Sequence, residues 1–249
     1  MYSTKIDPKF NNNQNPKIGL IALASDYMIE KDFINVIKDK RIDFFVNRIE
    51  CFNPLTSENL IKMSENVTNV TQDILPGEKI DCVVYGCTSG TIAAGYDSIK
   101  SKIKKAKPEA EVTTPSTSSI IALKKLNLTK IAIFTPYPKK LNDEVINFFK
   151  KEKFQITANS YFDIESDIDI GKVDPDYLYE VLLKMDLNGA DALFISCTAL
   201  PVLNLIERLE KELGKPVITS NQSLIWDTLE NIGMNKDILG FGKLFNLDQ

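Results

Sequence analysis

Histidine does not occur in this 249-residue chain. Its absence removes the commonest general base, the Ser-His and Cys-His dyads, and most zinc sites. An enzyme built from this sequence and working near neutral pH must move protons with Cys, Asp, Glu, Lys or Tyr. Cysteine is sparse too, with four in all and no C-x-x-C pair. With no apolar signal segment, that usage predicts a reducing compartment and a cytoplasmic protein. No apolar run exceeds strand length, so no membrane span is expected. The net charge of −4 is too mild to call for nucleic acid or an acidic membrane surface. Three Asn-x-Thr triplets, at Asn66, Asn69 and Asn127, carry no weight without secretion.

What the chain does have is a stretch that occurs twice. Asp81-Cys-Val-Val-Tyr-Gly-Cys87-Thr-Ser-Gly90 returns as Asp191-Ala-Leu-Phe-Ile-Ser-Cys197-Thr-Ala-Leu200, and 191 − 81 and 197 − 87 both give 110. In each copy an aspartate precedes a short apolar run, then a small residue, then Cys-Thr. The pattern predicts a buried strand whose carboxyl end turns into a helix, with the sulfur beside the free N–H groups of the first helical turn.

The repetition extends further. Lys17-Ile-Gly-Leu-Ile-Ala-Leu23 parallels Lys130-Ile-Ala-Ile-Phe-Thr-Pro136, and Val112 to Ser118 parallels Val217 to Ser223. Strand-like runs alternate with helical spacing: a strand at Lys17–Leu23, a helix over Glu30 to Lys38, a strand at Ile42–Ile49, and one helix across Ser57 to Leu75 capped at Thr56 or Ser57. A further helix starts at Asp174-Pro175 and runs to Leu187.

The alternation predicts an α/β fold of two pseudo-symmetric lobes, each a parallel four-stranded sheet flanked by helices, with the active site in the cleft between them. The expected division is a disordered tail at 1–16, a first lobe at 17–113 plus 219–249, and a second at 114–218. The five lysines of Lys100 to Lys107 read as a solvated helix end. The acidic run Asp163 to Asp169 lacks the glycine and spacing of a calcium loop, so no metal is expected there.

A thiol at a helix N-terminus should have a lowered pKa, and the same N–H groups can hold a substrate carboxylate beside it. Cys87 and Cys197 are therefore the candidate catalytic pair, one thiol on each face of a carboxylate-bearing carbon. Thr88, Ser89 and Thr198 would add hydroxyl donors. Cys51 and Cys82 read as small buried hydrophobes. Asp26 should reach the same sheet edge as Cys87, to orient a thiol, to take its proton, to pair with a substrate ammonium, or simply to cap a loop. Tyr137 stands in the corresponding loop of the second half, to bind a carboxylate or line the cleft. Trp226 and Tyr85 read as core.

These residues resemble a known group. Gly86-Cys87-Thr-Ser-Gly90, Thr135-Pro-Tyr137, Ser196-Cys197-Thr-Ala199 and Pro216 to Trp226 are similar to blocks of the aspartate/glutamate racemase superfamily. Within it, the match is to the branch of maleate cis–trans isomerases, arylmalonate decarboxylases and ectoine-utilisation isomerase-like proteins. The resemblance runs from about Lys17 to about Gly240. It implies a cofactor-independent isomerase or racemase acting on a small carboxylate, commonly as a homodimer, with Thr88, Ser89, Tyr137, Thr198 and Asn221 binding substrate. Decarboxylases of this group carry glycine where Cys87 stands. Maleate isomerases carry asparagine at the position of Asp26, and a second such asparagine falls near Asp167. The aspartate directs the expectation to an amino acid or its derivative, as in ectoine-type catabolism. The competing readings are a maleate-type cis–trans isomerase, a malonate-type decarboxylase using Cys197 alone, and a silent carboxylate-binding protein.

Overall fold

Apolar runs too short for helices and flanked by polar turns become the two sheets. The computed structural model describes residues 3–11, 14–234 and 238–246. Strand β1 (Lys17–Leu23) is buried from Ile18 onward and leads into helix α1 (Ile29–Ile37) and strand β2 (Asp43–Ile49). Helices α2 (Ser57–Ser64) and α3 (Val67–Gln72) precede strand β3 (Cys82–Gly86), which is wholly buried. Then come α4 (Thr88–Ala94), α5 (Tyr96–Ala106), β4 (Glu111–Thr113) and α6 (Pro115–Lys125).

The pattern then repeats with β5 (Lys130–Thr135), α7 (Lys139–Lys151), β6 (Gln155–Tyr161), α8 (Asp167–Ile170) and α9 (Pro175–Leu183). It closes with β7 (Ala192–Ile195), α10 (Ile206–Leu213), β8 (Val217–Thr219) and α11 (Ser220–Asn231).

Both sheets are parallel, in the orders β2-β1-β3-β4 and β6-β5-β7-β8. The α/β architecture of two like halves is therefore present. In each sheet the chain moves outward in opposite directions from the central pair, β1/β3 or β5/β7. Such a switch point opens a crevice at the carboxyl ends of the strands. Helix α11 is buried from Ser220 to Leu229 and packs on α6, α1, β3 and β4 as well as on β8. A capping box starts it: Thr219 Oγ1 accepts from Gln222 N at 3.1 Å, and Gln222 Oε1 accepts from Thr219 N at 3.2 Å.

The repeated aspartates have a structural role. Asp81 accepts from the N–H of Lys17 at 2.8 Å, and Asp191 from those of Thr129 and Lys130 at 2.9 and 2.8 Å. Each holds the entry of the neighbouring strand in place.

Several expectations are corrected. The helix expected over Ser57 to Leu75 is two, parted at Glu65-Asn66. Asn66 accepts from the Asn69 amide at 2.9 Å, and α2 packs on α4 while α3 packs on α5. Helix α9 stops at Leu183, short of Leu187, where Asp186 turns the chain by accepting from Asn188 N. Lys107 is not solvated: it is buried and donates to the carbonyls of Leu75 and Glu78, both at 2.9 Å. The described residues of 1–16 carry no regular structure. Residues 1, 2, 12 and 13 of that expected tail lie outside the described residues, as do 235–237 and 247–249 of the expected first lobe. No helix among the described residues is long and apolar enough to cross a membrane.

Candidate active site

Strand β3 delivers Cys87 as the N-cap of α4, with extended backbone (φ −145°, ψ 114°). Its sulfur accepts from Gly90 N at 3.2 Å and lies 3.9 Å from Ser89 Oγ. Gly90 is needed for this approach. A Cβ there would stand 2.8 Å from the Cys87 sulfur and 2.9 Å from the Tyr85 hydroxyl.

Cys197 departs from the expectation. No helix follows it: a short 3-10 turn at Leu203–Leu205 and then α10 come only after Pro201, and the residue before a proline is turned away from helix. Cys197 instead has φ 119°, a region that side chains rarely occupy. Its sulfur accepts from Ala199 N at 3.4 Å, and its own N–H donates to Ser220 Oγ at 3.1 Å. Thr198 and Ser220 hold this turn against the other one. Thr88 Oγ1 donates to the same Ser220 oxygen at 3.0 Å, and Thr198 Oγ1 donates to the Gly86 carbonyl at 3.3 Å. The two Cys-Thr turns thus clasp each other across the sheets.

The remaining expected residues converge here. Asp26, Cys87, Thr88, Ser89, Tyr137, Cys197, Thr198 and Asn221 are all buried, none more than 4% exposed. Tyr137, after β5, bears electrostatically on both thiols and directs its hydroxyl to the Cys197 sulfur. Asp26 caps α1: its Oδ1 accepts from Met28 N at 2.6 Å and Ile29 N at 2.9 Å, while its Oδ2, buried, makes no hydrogen bond. Asn221 donates through Nδ2 to Asp32 Oδ2 at 2.8 Å and to the Thr198 carbonyl at 2.7 Å, leaving its Oδ1 unpartnered.

Three residues border the site beyond those expected to form it. Asp167, in the acidic run dismissed above, is buried and accepts from Ser25 Oγ at 2.5 Å and donates its N–H to Asn53 Oδ1 at 3.2 Å. Its repulsion reaches both Cys87 and Cys197. Cys51 is half-buried rather than core: it neighbours Ser25, and burial first, then Asp167 and Asp26, raise its thiol to about 11. Tyr85 is core, as expected, yet its unpartnered hydroxyl flanks the Cys87 sulfur. The only sequence signal for Asp167 was its place near a family asparagine. Cys82 is core, facing Thr113 Oγ1 at 3.7 Å.

The thiols are not acidified. Burial pushes Cys87 and Cys197 well above the ordinary thiol value, and the single N–H that each sulfur accepts recovers only part of it. This corrects the expectation of a lowered pKa, because desolvation outweighs one short helix dipole. Burial likewise raises Asp26, lifts Asp32 to about 7 and Asp167 to about 6, with Asp26 repelling both. Among the described residues, no group of three or more His, Cys, Asp or Glu could hold a metal. The cleft of about 360 Å³ between Gly77 and Ala110 lies at the opposite, amino end of β3 and β4.

A family model described as arylmalonate decarboxylase matches residues 92–245. The maleate isomerase of Geobacillus stearothermophilus is 24% identical over 245 residues, spanning 92% of this chain and 97% of that protein. The arylmalonate decarboxylase of Bordetella bronchiseptica is 27% identical over 137 residues, 54% of this chain and 57% of that one. Among solved structures, a cysteine-to-serine variant of Nocardia farcinica maleate cis–trans isomerase, with a covalently bound succinylcysteine intermediate, superposes with a TM-score of 0.87. It is 19% identical and the match covers 94% of this chain and 99% of that one, which establishes a shared fold.

Proposed function

Since the chain belongs to the arylmalonate decarboxylase family, we propose that it is an isomerase of a small carboxylate, working through Cys87 and Cys197 without a cofactor. The clasp between the two Cys-Thr turns, with Tyr137 bearing on both sulfurs, carries this reading. Each thiol meets one backbone N–H and one hydroxyl, Ser89 for Cys87 and Tyr137 for Cys197. Two groups in matched surroundings suit proton transfer between faces. One thiolate removes a proton from the substrate carbon, the opposed S–H delivers its own proton to the other face, and the charge passes from sulfur to sulfur.

Thr88, Ser89, Tyr137, Thr198 and Asn221 bind and orient the substrate in this reading, and hydroxyl and N–H donors stabilise charge developing on its carboxylate. Tyr137 and Ser89 contribute most directly, because Thr88 and Thr198 point their hydroxyls at Ser220 and Gly86. Asp26 supports an amino acid or amino-acid derivative as substrate, in amino-acid or ectoine-type catabolism, since a buried carboxylate suits an ammonium. The four free cysteines support a cytoplasmic setting. A homodimer rests on the family and is checked by sedimentation.

The second reading is cis–trans isomerisation, favoured by the named relatives: a thiolate adds to one carbon of a double bond, the remaining single bond rotates, and elimination restores thiolate and alkene. Both thiols being present speaks against decarboxylation by Cys197 alone. Chiral amino acids and unsaturated diacids incubated in deuterated water separate the two, by deuterium uptake with loss of optical activity or by geometric isomerisation. Turnover that survives Cys87→Ser together with Cys197→Ser sinks both, and calorimetric binding without any turnover indicates a silent carboxylate-binding protein.

A further inference from the structure

We infer that Asp26 and Asp167, one carboxylate from each half of the chain, form a binding site for a primary ammonium on the substrate, with Asp167 the residue that selects for it. The inference rests on the small-carboxylate reading above and names the substrate's second functional group.

Three observations meet at this place. First, Ser25 joins the pair: its hydroxyl donates to Asp167 Oδ2 at 2.5 Å, and the next residue is Asp26. Second, Asp26 Oδ2 is buried without a hydrogen-bond partner: its sister oxygen accepts two N–H groups, and the nearby Thr198 hydroxyl, which bears on the carboxylate, donates to the Gly86 carbonyl. A buried carboxylate oxygen left unmatched is a strong demand for a donor. Third, both carboxylates bear electrostatically on the Cys197 thiol, so a cation held by them is felt at the reacting sulfur.

The charge balance points the same way. Asp26, Asp32 and Asp167 are buried together, and the only buried Lys or Arg among the described residues is Lys107, held by carbonyls beyond the amino end of β3. Arg48 attracts Asp26 from the side, but its guanidinium donates to the carbonyls of Leu23 and Asp26 and pairs with Glu30, not with the Asp26 carboxylate. A dianion would bring a second negative charge up against two carboxylates in a dry site, whereas an ammonium neutralises them and supplies three donors. The site therefore takes a zwitterion, its carboxylate on the hydroxyls beside the thiols and its ammonium between Asp26 and Asp167.

The experiment is calorimetric titration of the full chain with 3-aminopropanoate, 4-aminobutanoate, butanoate and succinate, with wild type and Asp167→Asn. Wild type should hold one of the aminocarboxylates at least tenfold more tightly than butanoate or succinate. Asp167→Asn should lose that preference at least tenfold, leave butanoate unchanged and gain affinity for succinate. The amide oxygen can still accept from Ser25, so the variant keeps its fold, and an unchanged melting temperature verifies this.

Succinate bound as tightly as the better aminocarboxylate, no aminocarboxylate bound at the highest soluble concentration, or an Asp167→Asn preference equal to wild type would each overturn the inference. Binding needs no turnover, so the two readings fail separately. A protein that prefers the amine but exchanges no deuterium loses only the isomerase reading. One that isomerises maleate through its thiols and ignores the amine loses only the ammonium site.

Discussion

Thr198, the residue after one cysteine, donates its hydroxyl to the carbonyl of Gly86, the residue before the other, across 3.3 Å. Together with Ser220, which accepts from both Thr88 and the Cys197 N–H, it ties two remote segments into one site. Ser220→Ala removes the shared acceptor and leaves the buried Cys197 N–H unsatisfied. The expected loss is about 1–3 kcal/mol of stability by urea unfolding, with a fall in kcat larger than the change in KM. Normal kcat in that variant would show that the clasp has no part in positioning the thiols.

Gly90, in the first turn of α4, and Gly95, its C-cap, offer a contrast. An added Cβ at Gly90 meets the Cys87 sulfur at 2.8 Å, whereas at Gly95 it meets nothing and only the positive φ of 82° is strained. Gly90→Ala should lower kcat at least tenfold by displacing the thiol and cost about 1–3 kcal/mol from overpacking. Gly95→Ala should cost about 1–3 kcal/mol from backbone strain and leave kcat within about twofold. Steady-state kinetics and thermal melts of the pair decide it.

Burial raises both thiols above the ordinary value, so the thiolate is the scarce form at neutral pH. The rate should climb about tenfold per pH unit from pH 6 to 8, with no plateau near 7. A plateau there would mean that an acidified thiolate already exists, as the sequence alone had suggested.

Asp32 carries a folded-state pKa of about 7 against 3.8 for the free group, chiefly from burial. The shift is upward, so the stability it contributes is full below about pH 4 and is lost as pH rises through about 7. Each unit of such a shift corresponds to about 1.4 kcal/mol. Asp32→Asn should flatten the decline between about pH 4 and 7 and raise the urea midpoint at pH 8, while Asn221 keeps a side-chain acceptor. An equally steep decline in the variant would assign the pH dependence to Asp26 and Asp167 instead.

Legibility was uneven for physical reasons. Parallel strands such as β1, β3 and β5 are buried on both faces, so their apolar runs stand out and their bounds were readable almost to the residue. The break at Asn66 was not, because α2 and α3 separate only when each finds its own partner helix. Cys87 lay where the strand-to-helix pattern placed it. Cys197 did not, because its positive φ and missing helix follow from Pro201 and from contacts with Ser220 that have no local signature. Asp167 was marked only by the family resemblance, because an exposed-looking acidic run says nothing about which of its members turns inward.

By itself the sequence determined the two-fold α/β plan, the pair of Cys-Thr turns and the exclusion of histidine chemistry, since all of these are written in local periodicity and residue type. Only the tertiary structure decided that both thiols are desolvated and so raised, that Ser220 joins them, and that Asp167 comes in beside Asp26. Desolvation and charge proximity depend on what long-range packing brings together, and no local pattern of residues records that.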